Sequence, residues 1–217
     1  MRADTGARLA ATRARAGARP RRGPVEPLVG SWDGQAAGRS LDGPTLPPNG
    51  RTVLETATVS ILEIGAAQEG DRAPAEALLR DRWGEVLVVH DTEYPLVNLA
   101  MWVAKEAGDL LGIATYNVDD RGLEIITLDS LREGRSIGRS LVQALTDEAR
   151  RLAMRRVWMI TTNENLQALA FFQRRGFRIV RVDVGAADRA RAKKRTIPEQ
   201  IDGIPIHDEL ELELVLD

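Results

Sequence analysis

The sequence predicts an α/β (α+β) layer fold from about residue 58 onward, and three observations carry that expectation. Apolar residues recur at period two and then at period 3.6 in alternating stretches, the signature of strands and helices sharing one core. Hydrophobic residues make up 43% of the chain and charged residues 29%, a globular balance. Short turn segments rich in Gly and Asp separate the periodic runs.

Residues 58–64 read as the first strand. Asp71 then offers a helix N-cap, Pro74 falls in the first turn, and Ala77, Leu78 and Trp83 keep helical spacing until Gly84 stops the run. Residues 85–90 form a short apolar run whose pairing the sequence leaves open. Residues 99–104 and 110–118, joined by a Glu-Ala-Gly-Asp turn, make a β-hairpin. After a second turn at 119–122, residues 123–128 are β-branched and apolar on both faces, as in a central strand, and lead directly into a glycine-containing loop. Ile137, Leu141, Leu145, Ala149 and Leu152 then place one apolar stripe on a helix. Residues 157–161 are a second buried strand, residues 166–175 a short amphipathic helix closed by Gly176, and residues 177–182 another strand. The final strand, 208–216, alternates charged and apolar residues, which predicts one face in water.

Residues 1–50 differ in kind. Eight Arg stand against Asp4, Glu26, Asp33 and Asp42, a balance of +4, which leaves −6 on the remaining 167 residues. Prolines at 20, 24, 27, 44, 47 and 48 and the absence of an apolar period predict a disordered extension ahead of one domain at 51–217. A start codon placed upstream is one source of such a stretch. Its positive charge also suits a targeting segment or a nucleic-acid arm, but it lacks the continuous apolar core of a secretory signal. The chain has no cysteine, which excludes disulfides, zinc–thiolate sites and a cysteine nucleophile and fits a reducing cytoplasm. Apolar runs such as 86–89 and 157–160 fall far below the roughly 20 residues of a membrane-spanning helix. A soluble cytoplasmic protein with no membrane or metal partner is expected.

The chemistry concentrates in residues 128–141, LDSLREGRSIGRSL: a strand, a loop with small residues at 134, 136 and 138, and a helix start. A helix N-terminus presents unpaired N–H groups and about half a positive charge, and small residues let a pyrophosphate approach them. Arg132, Arg135 and Arg139 add charge at the same end. A phosphoryl-transfer P-loop would need Lys and then Ser or Thr after its last glycine, where Arg139 and Ser140 stand, and no GxGxxG opens the domain.

Residues 133–138, EGRSIG, resemble the Q/R-x-x-G-x-G/A pyrophosphate loop of the GNAT N-acetyltransferases. Glu133 replaces the usual Gln or Arg, and Ser136 replaces the first glycine, which a serine satisfies if its φ is negative. Residues 157–180, VWMITTNENLQALAFFQRRGFRIV, resemble the family's fifth strand, next helix and sixth strand, with Asn165, Ala168, Phe171, Gly176 and Phe177 at the family's spacing. Residues 203–214, GIPIHDELELEL, resemble the tail of a bacterial subgroup with unassigned acceptors.

The resemblance implies a mixed, mostly antiparallel sheet flanked by helices, with splayed fourth and fifth strands. It implies acetyl-CoA as cosubstrate and a primary amine of a small molecule or protein N-terminus as acceptor, and it admits a homodimer. Leu128, Asp129 and Ser130 would supply the strand edge that holds the pantetheine arm, and Arg135, Ser136, Ile137, Gly138, Arg139 and Ser140 would surround the pyrophosphate. Asn165 would contact the pantetheine or an ordered water, besides capping its helix. Glu124 is the nearest match to the family's base, acting directly or through water. Phe172 stands where many relatives carry the tyrosine that protonates the departing thiolate. His207 is an alternative base, with a solvent-facing residue as the plainer reading. Trp83, Trp102 and Trp158 read as core or rim aromatics, and the basic run 189–195 as a solvated face. Phe172 and the altered loop favour the rival, a non-catalytic acyl-CoA-binding sensor, while the basic arm suits a nucleic-acid-associated protein.

Overall fold

The computed structural model describes residues 61–132 and 135–217. The expected extension at 1–50, the start of the expected first strand, and Glu133 and Gly134 of the loop lie outside these residues.

The chain runs β1 (Leu62–Ala66), α1 (Glu69–Trp83), β2 (Val86–Val89), β3 (Thr92–Pro95), a 3-10 turn (Leu96–Asn98), β4 (Ala100–Glu106), β5 (Asp109–Asp119) and β6 (Gly122–Ser130). It continues with α2 (Ile137–Arg151), β7 (Arg156–Thr162), α3 (Leu166–Gln173), β8 (Arg178–Asp183), α4 (Ala186–Lys193), β9 (Gln200–Ile201), β10 (Ile204–Pro205) and β11 (Glu209–Val215). Seven strands form one sheet in the order β1-β4-β5-β6-β7-β11-β8, antiparallel throughout except for the β6–β7 pair. This is the expected mixed, mostly antiparallel sheet.

The sheet has a core on each face. Ile125, Leu128, Leu141, Leu145, Phe172 and Leu212 pack on the side of α2 and α3, while Leu79, Leu96, Met101, Ile113 and Ile126 pack on the side of α1. β6 is buried almost end to end because it lies mid-sheet with helices on both faces. The predicted stripe of α2 faces inward, with Ile137, Leu141, Leu145 and Ala149 each at most 1% exposed.

Two expectations need correction, and one pairing left open is settled. α1 begins earlier than expected: Gln68 is its N-cap, and Asp71 sits at the third helical position, accepting the Gln68 N–H at 2.9 Å in a capping box. The 85–90 run is one arm of the β2–β3 hairpin, turned by His90 and Asp91 at φ 36° and 62°. Two positive φ values in a two-residue loop are the mirror-image turn that hairpins require, built here without the usual Asn-Gly signal. Last, the charged face of β11 is not in water. β11 is inserted between β7 and β8, so Glu209 and Glu211 are 2% and 5% exposed, and Glu211 is held by Arg121, Arg156 and Arg181.

Candidate functional site

β6 and β7 pair over only three positions, Leu123 with Val157, Glu124 with Trp158 and Ile125 with Met159. Beyond that apex they part, because β7 continues against β11 while β6 continues against β5. The Leu131 N–H donates to Leu111 O at 2.8 Å, which makes Ser130 and Gly112 a non-hydrogen-bonded pair. Alternation along the strand therefore turns the N–H and C=O groups of Leu128 and Ser130 toward the open edge. Thr127, Leu128, Ile160, Ala168 and Phe172 line the narrow gap between the splayed strands.

That gap adjoins a cleft of about 960 Å³ against the start of α2. Leu128, Ser130, Ser136, Ile137, Gly138 and Arg139 line it, with Phe171, Arg174 and Arg175 of the facing segment. Gly138 matters sterically, since a Cβ there would stand 3.3 Å from the Phe171 ring. Ser136 caps α2 at φ 56°, not at the negative φ expected, so the serine occupies the left-handed backbone that suits a glycine. Arg132, Arg139, Arg174 and Arg175 line the cleft, and none makes an ion pair among the described residues, whereas Arg121, Arg156 and Arg189 are tied to carboxylates. Burial lowers the Arg175 pKa, and the charges of Arg139 and Arg174 lower it further. A cluster of like charges along one cleft fits an anionic ligand.

Other residues singled out in the sequence do not line this cleft. Arg135 is turned onto Glu106 by a bidentate ion pair, and Ser140 does not line the cleft. The Asp129 side chain lies under α1, accepting from Trp83 Nε1 at 3.0 Å and Arg82 Nη1 at 3.2 Å. Burial raises the pKa of this carboxyl, against the pull of Trp83 and Arg82. Asn165 caps α3 by accepting the Ala168 N–H at 3.0 Å. Phe172 is 2% exposed and packs edge-on against Phe171 and Phe177. His207 is exposed and lies 3.2 Å from Asp188 of α4. Trp158 is fully buried, with the Arg121 guanidinium 3.8 Å over its ring.

Glu124 is 1% exposed, and both of its oxygens are engaged. Oε2 accepts the Tyr94 hydroxyl at 2.8 Å, and Oε1 lies 3.0 Å from His90 Nε2. The His90 N–H donates to Glu209 Oε2 at 2.8 Å, and its ring packs 5.6 Å from that of Trp158. The bond to Glu124 raises the His90 pKa and outweighs burial, which lowers it. Burial, reinforced by Glu124, keeps the Tyr94 hydroxyl protonated far above the ordinary phenol range. His90 and Tyr94 were not among the sequence-predicted site residues. They meet Glu124 across 34 and 30 residues of chain, and the sequence pointed to them only through the family resemblance, which implies an acceptor pocket built from residues 71–94 and 184–205. Among the described residues no helix is long and apolar enough to cross a membrane, and no group of three or more metal-ligating side chains occurs.

Comparison with known proteins adds independent findings. Residues 70–177 match the model of a family described as "Acetyltransferase (GNAT) family". The uncharacterized protein YdhI of Bacillus subtilis is 40% identical over 113 residues, which cover 52% of this chain and 71% of YdhI. The uncharacterized protein YxbD of the same organism is 41% identical over 102 residues, covering 46% of this chain and 64% of YxbD, just under two thirds of its length. A GNAT family acetyltransferase from Elizabethkingia anophelis, solved with acetyl-CoA bound, superposes with a TM-score of 0.53 at 17% identity, covering 71% of this chain and 98% of that one.

Proposed function

The chain belongs to the acetyltransferase (GNAT) family, and on that premise we propose that it moves an acetyl group from acetyl-CoA to a primary amine of a small molecule or a protein N-terminus. One observation carries the reading: the strand split after Ile125 and Met159 opens into a cleft against the start of α2, lined by Arg132, Arg139, Arg174 and Arg175, which make no ion pair among the described residues. The free edge at Leu128 and Ser130 suits the amide-bearing pantetheine arm, which needs main-chain donors and acceptors. The amides that open α2, together with Arg132 and Arg139, suit the pyrophosphate, and the small Ser136 and Gly138 leave room for it.

The α1 face of the apex would receive the acceptor. There Glu124 and Glu209 both contact His90, an arrangement that favours a cationic amine and can take its proton. Phe172 has no proton to give the leaving thiolate, but a thiol pKa of about 8.5 makes thiolate a tolerable leaving group that water can protonate. That same phenylalanine favours the second reading, a non-catalytic acyl-CoA-binding sensor. The test combines calorimetry with acetyl-CoA and a thiol-release assay against a panel of amines. Gly138→Trp, which drives an indole into the cleft toward Phe171, should abolish binding while leaving the circular dichroism spectrum unchanged. Retained affinity in folded Gly138→Trp would remove the cleft from the reading, and tight binding without turnover on any amine would favour the sensor.

A further inference from the structure

The geometry points to His90 as the group that takes the acceptor's proton, through Nδ1, with Glu124 as the positioning residue that holds its ring. This rests on the acetyl-transfer reading and deepens it. Glu124 cannot itself meet an incoming amine, because its side chain is 2% exposed and Tyr94 and His90 occupy one oxygen each. Of the pair, His90 is the one that reaches solvent, at 13% side-chain exposure. A carboxylate only accepts, so the His90 Nε2 facing Glu124 carries the hydrogen, and the neutral ring keeps Nδ1 as its acceptor. Nδ1 has only a long 3.4 Å approach from the Thr92 hydroxyl, which leaves its lone pair available.

The placement over the apex is independent of that bonding. Glu124 pairs with Trp158 one position before the strands separate, and the His90 ring rests on Trp158. The backbone supplies a third observation. Histidine is one of the residue types enriched at positive φ, which suits His90 at φ 36° in this two-residue turn, and the Glu209 carboxylate fixes it there through the main-chain N–H. The charged and titratable groups facing His90 are Glu124 of β6, Tyr94 of β3, Glu209 of β11, Arg121 of the β5–β6 turn and, farther off, Asp183 of β8. In the step itself, the amine nitrogen attacks the thioester carbonyl and its C–N bond forms as the C–S bond breaks. Nδ1 takes the proton that the nitrogen sheds and returns it to solvent, from which the departing thiolate takes one.

His90→Asn tests the assignment, because Asn tolerates the left-handed turn but cannot titrate. With the full chain, acetyl-CoA and an amine panel of spermidine, ethanolamine and an unblocked N-terminal peptide, His90→Asn should lower kcat by about 10²–10⁴-fold, the usual worth of a general base. It should keep the folded circular dichroism spectrum and the acetyl-CoA affinity of wild type. Glu124→Gln should shift the acid limb of the kcat/KM profile to lower pH, since the carboxylate that raises the imidazole is gone, and should lower the plateau. Wild-type turnover and an unshifted profile in both variants would overturn the His90 assignment and leave acetyl transfer standing. A wild-type chain that binds acetyl-CoA yet releases no thiol with any of these amines would overturn the transfer reading, and the His90 assignment with it.

Discussion

Replacing Ser136 by glycine should stabilise the protein. Ser136 caps α2 with φ 56° and ψ 17°, a left-handed backbone that costs an L-residue about 1–2 kcal/mol. Its side chain makes no capping hydrogen bond, so losing the hydroxyl removes at most a few tenths of a kcal/mol. Glycine adopts the same backbone freely but loses more freedom on folding, about 0.5–1 kcal/mol. The balance is a net gain of about 0.5–1 kcal/mol, equivalent to roughly 1–4 °C in Tm for a chain of this size. Urea unfolding followed by circular dichroism should show a higher midpoint at an unchanged m-value. Calorimetry should find the acetyl-CoA affinity within about twofold of wild type, because the change adds only room to the cleft wall. Ser136→Val places a β-branched side chain in the same conformation and should lower the midpoint instead. A Ser136→Gly midpoint at or below that of wild type would refute the claim that backbone strain dominates this position.

Two further predictions follow from burial and composition. Burial holds Asp129 above its ordinary value of 3.8, so the folded protein disfavours its ionised form. The stability of wild type relative to Asp129→Asn should therefore increase as pH falls from 7 through the raised folded pKa, and should be complete below 3.8. Urea midpoints of both proteins at pH 7 and pH 4.5 measure this, and a wild type that loses stability relative to the variant on acidification contradicts it. A chain beginning at Arg51 should keep the full-length melting temperature and acetyl-CoA affinity, because residues 1–50 lack the apolar pattern needed to bury a core. A large loss of either would show that the segment packs on the domain.

What the sequence determined by itself is what depends on near neighbours along the chain. The inward stripe of α2 was legible in the spacing of Ile137, Leu141, Leu145 and Ala149, because a helix repeats every 3.6 residues whatever packs against it. The β4–β5 hairpin was legible because a short Glu-Ala-Gly-Asp turn separates two strand-like runs, and in the structure Ala107 and Gly108 take the two positive φ values of that turn. The order of β6, loop and α2 was legible because it is contiguous along the chain. Tertiary structure decided everything that depends on which strand lies beside which. β11 alternates as a half-exposed strand should, yet insertion between β7 and β8 buries Glu209 and Glu211. Asp129 sits in the expected segment, but the alternation of β6 points its carboxylate at α1, away from the cleft. Ser136 was read as a small residue, and only the geometry of the loop revealed its left-handed backbone. His90 and Tyr94 reach Glu124 through a hairpin folded over the sheet. Periodicity carries no record of that contact, because burying a carboxylate against an imidazole is a property of the packed faces and not of any local stretch of chain.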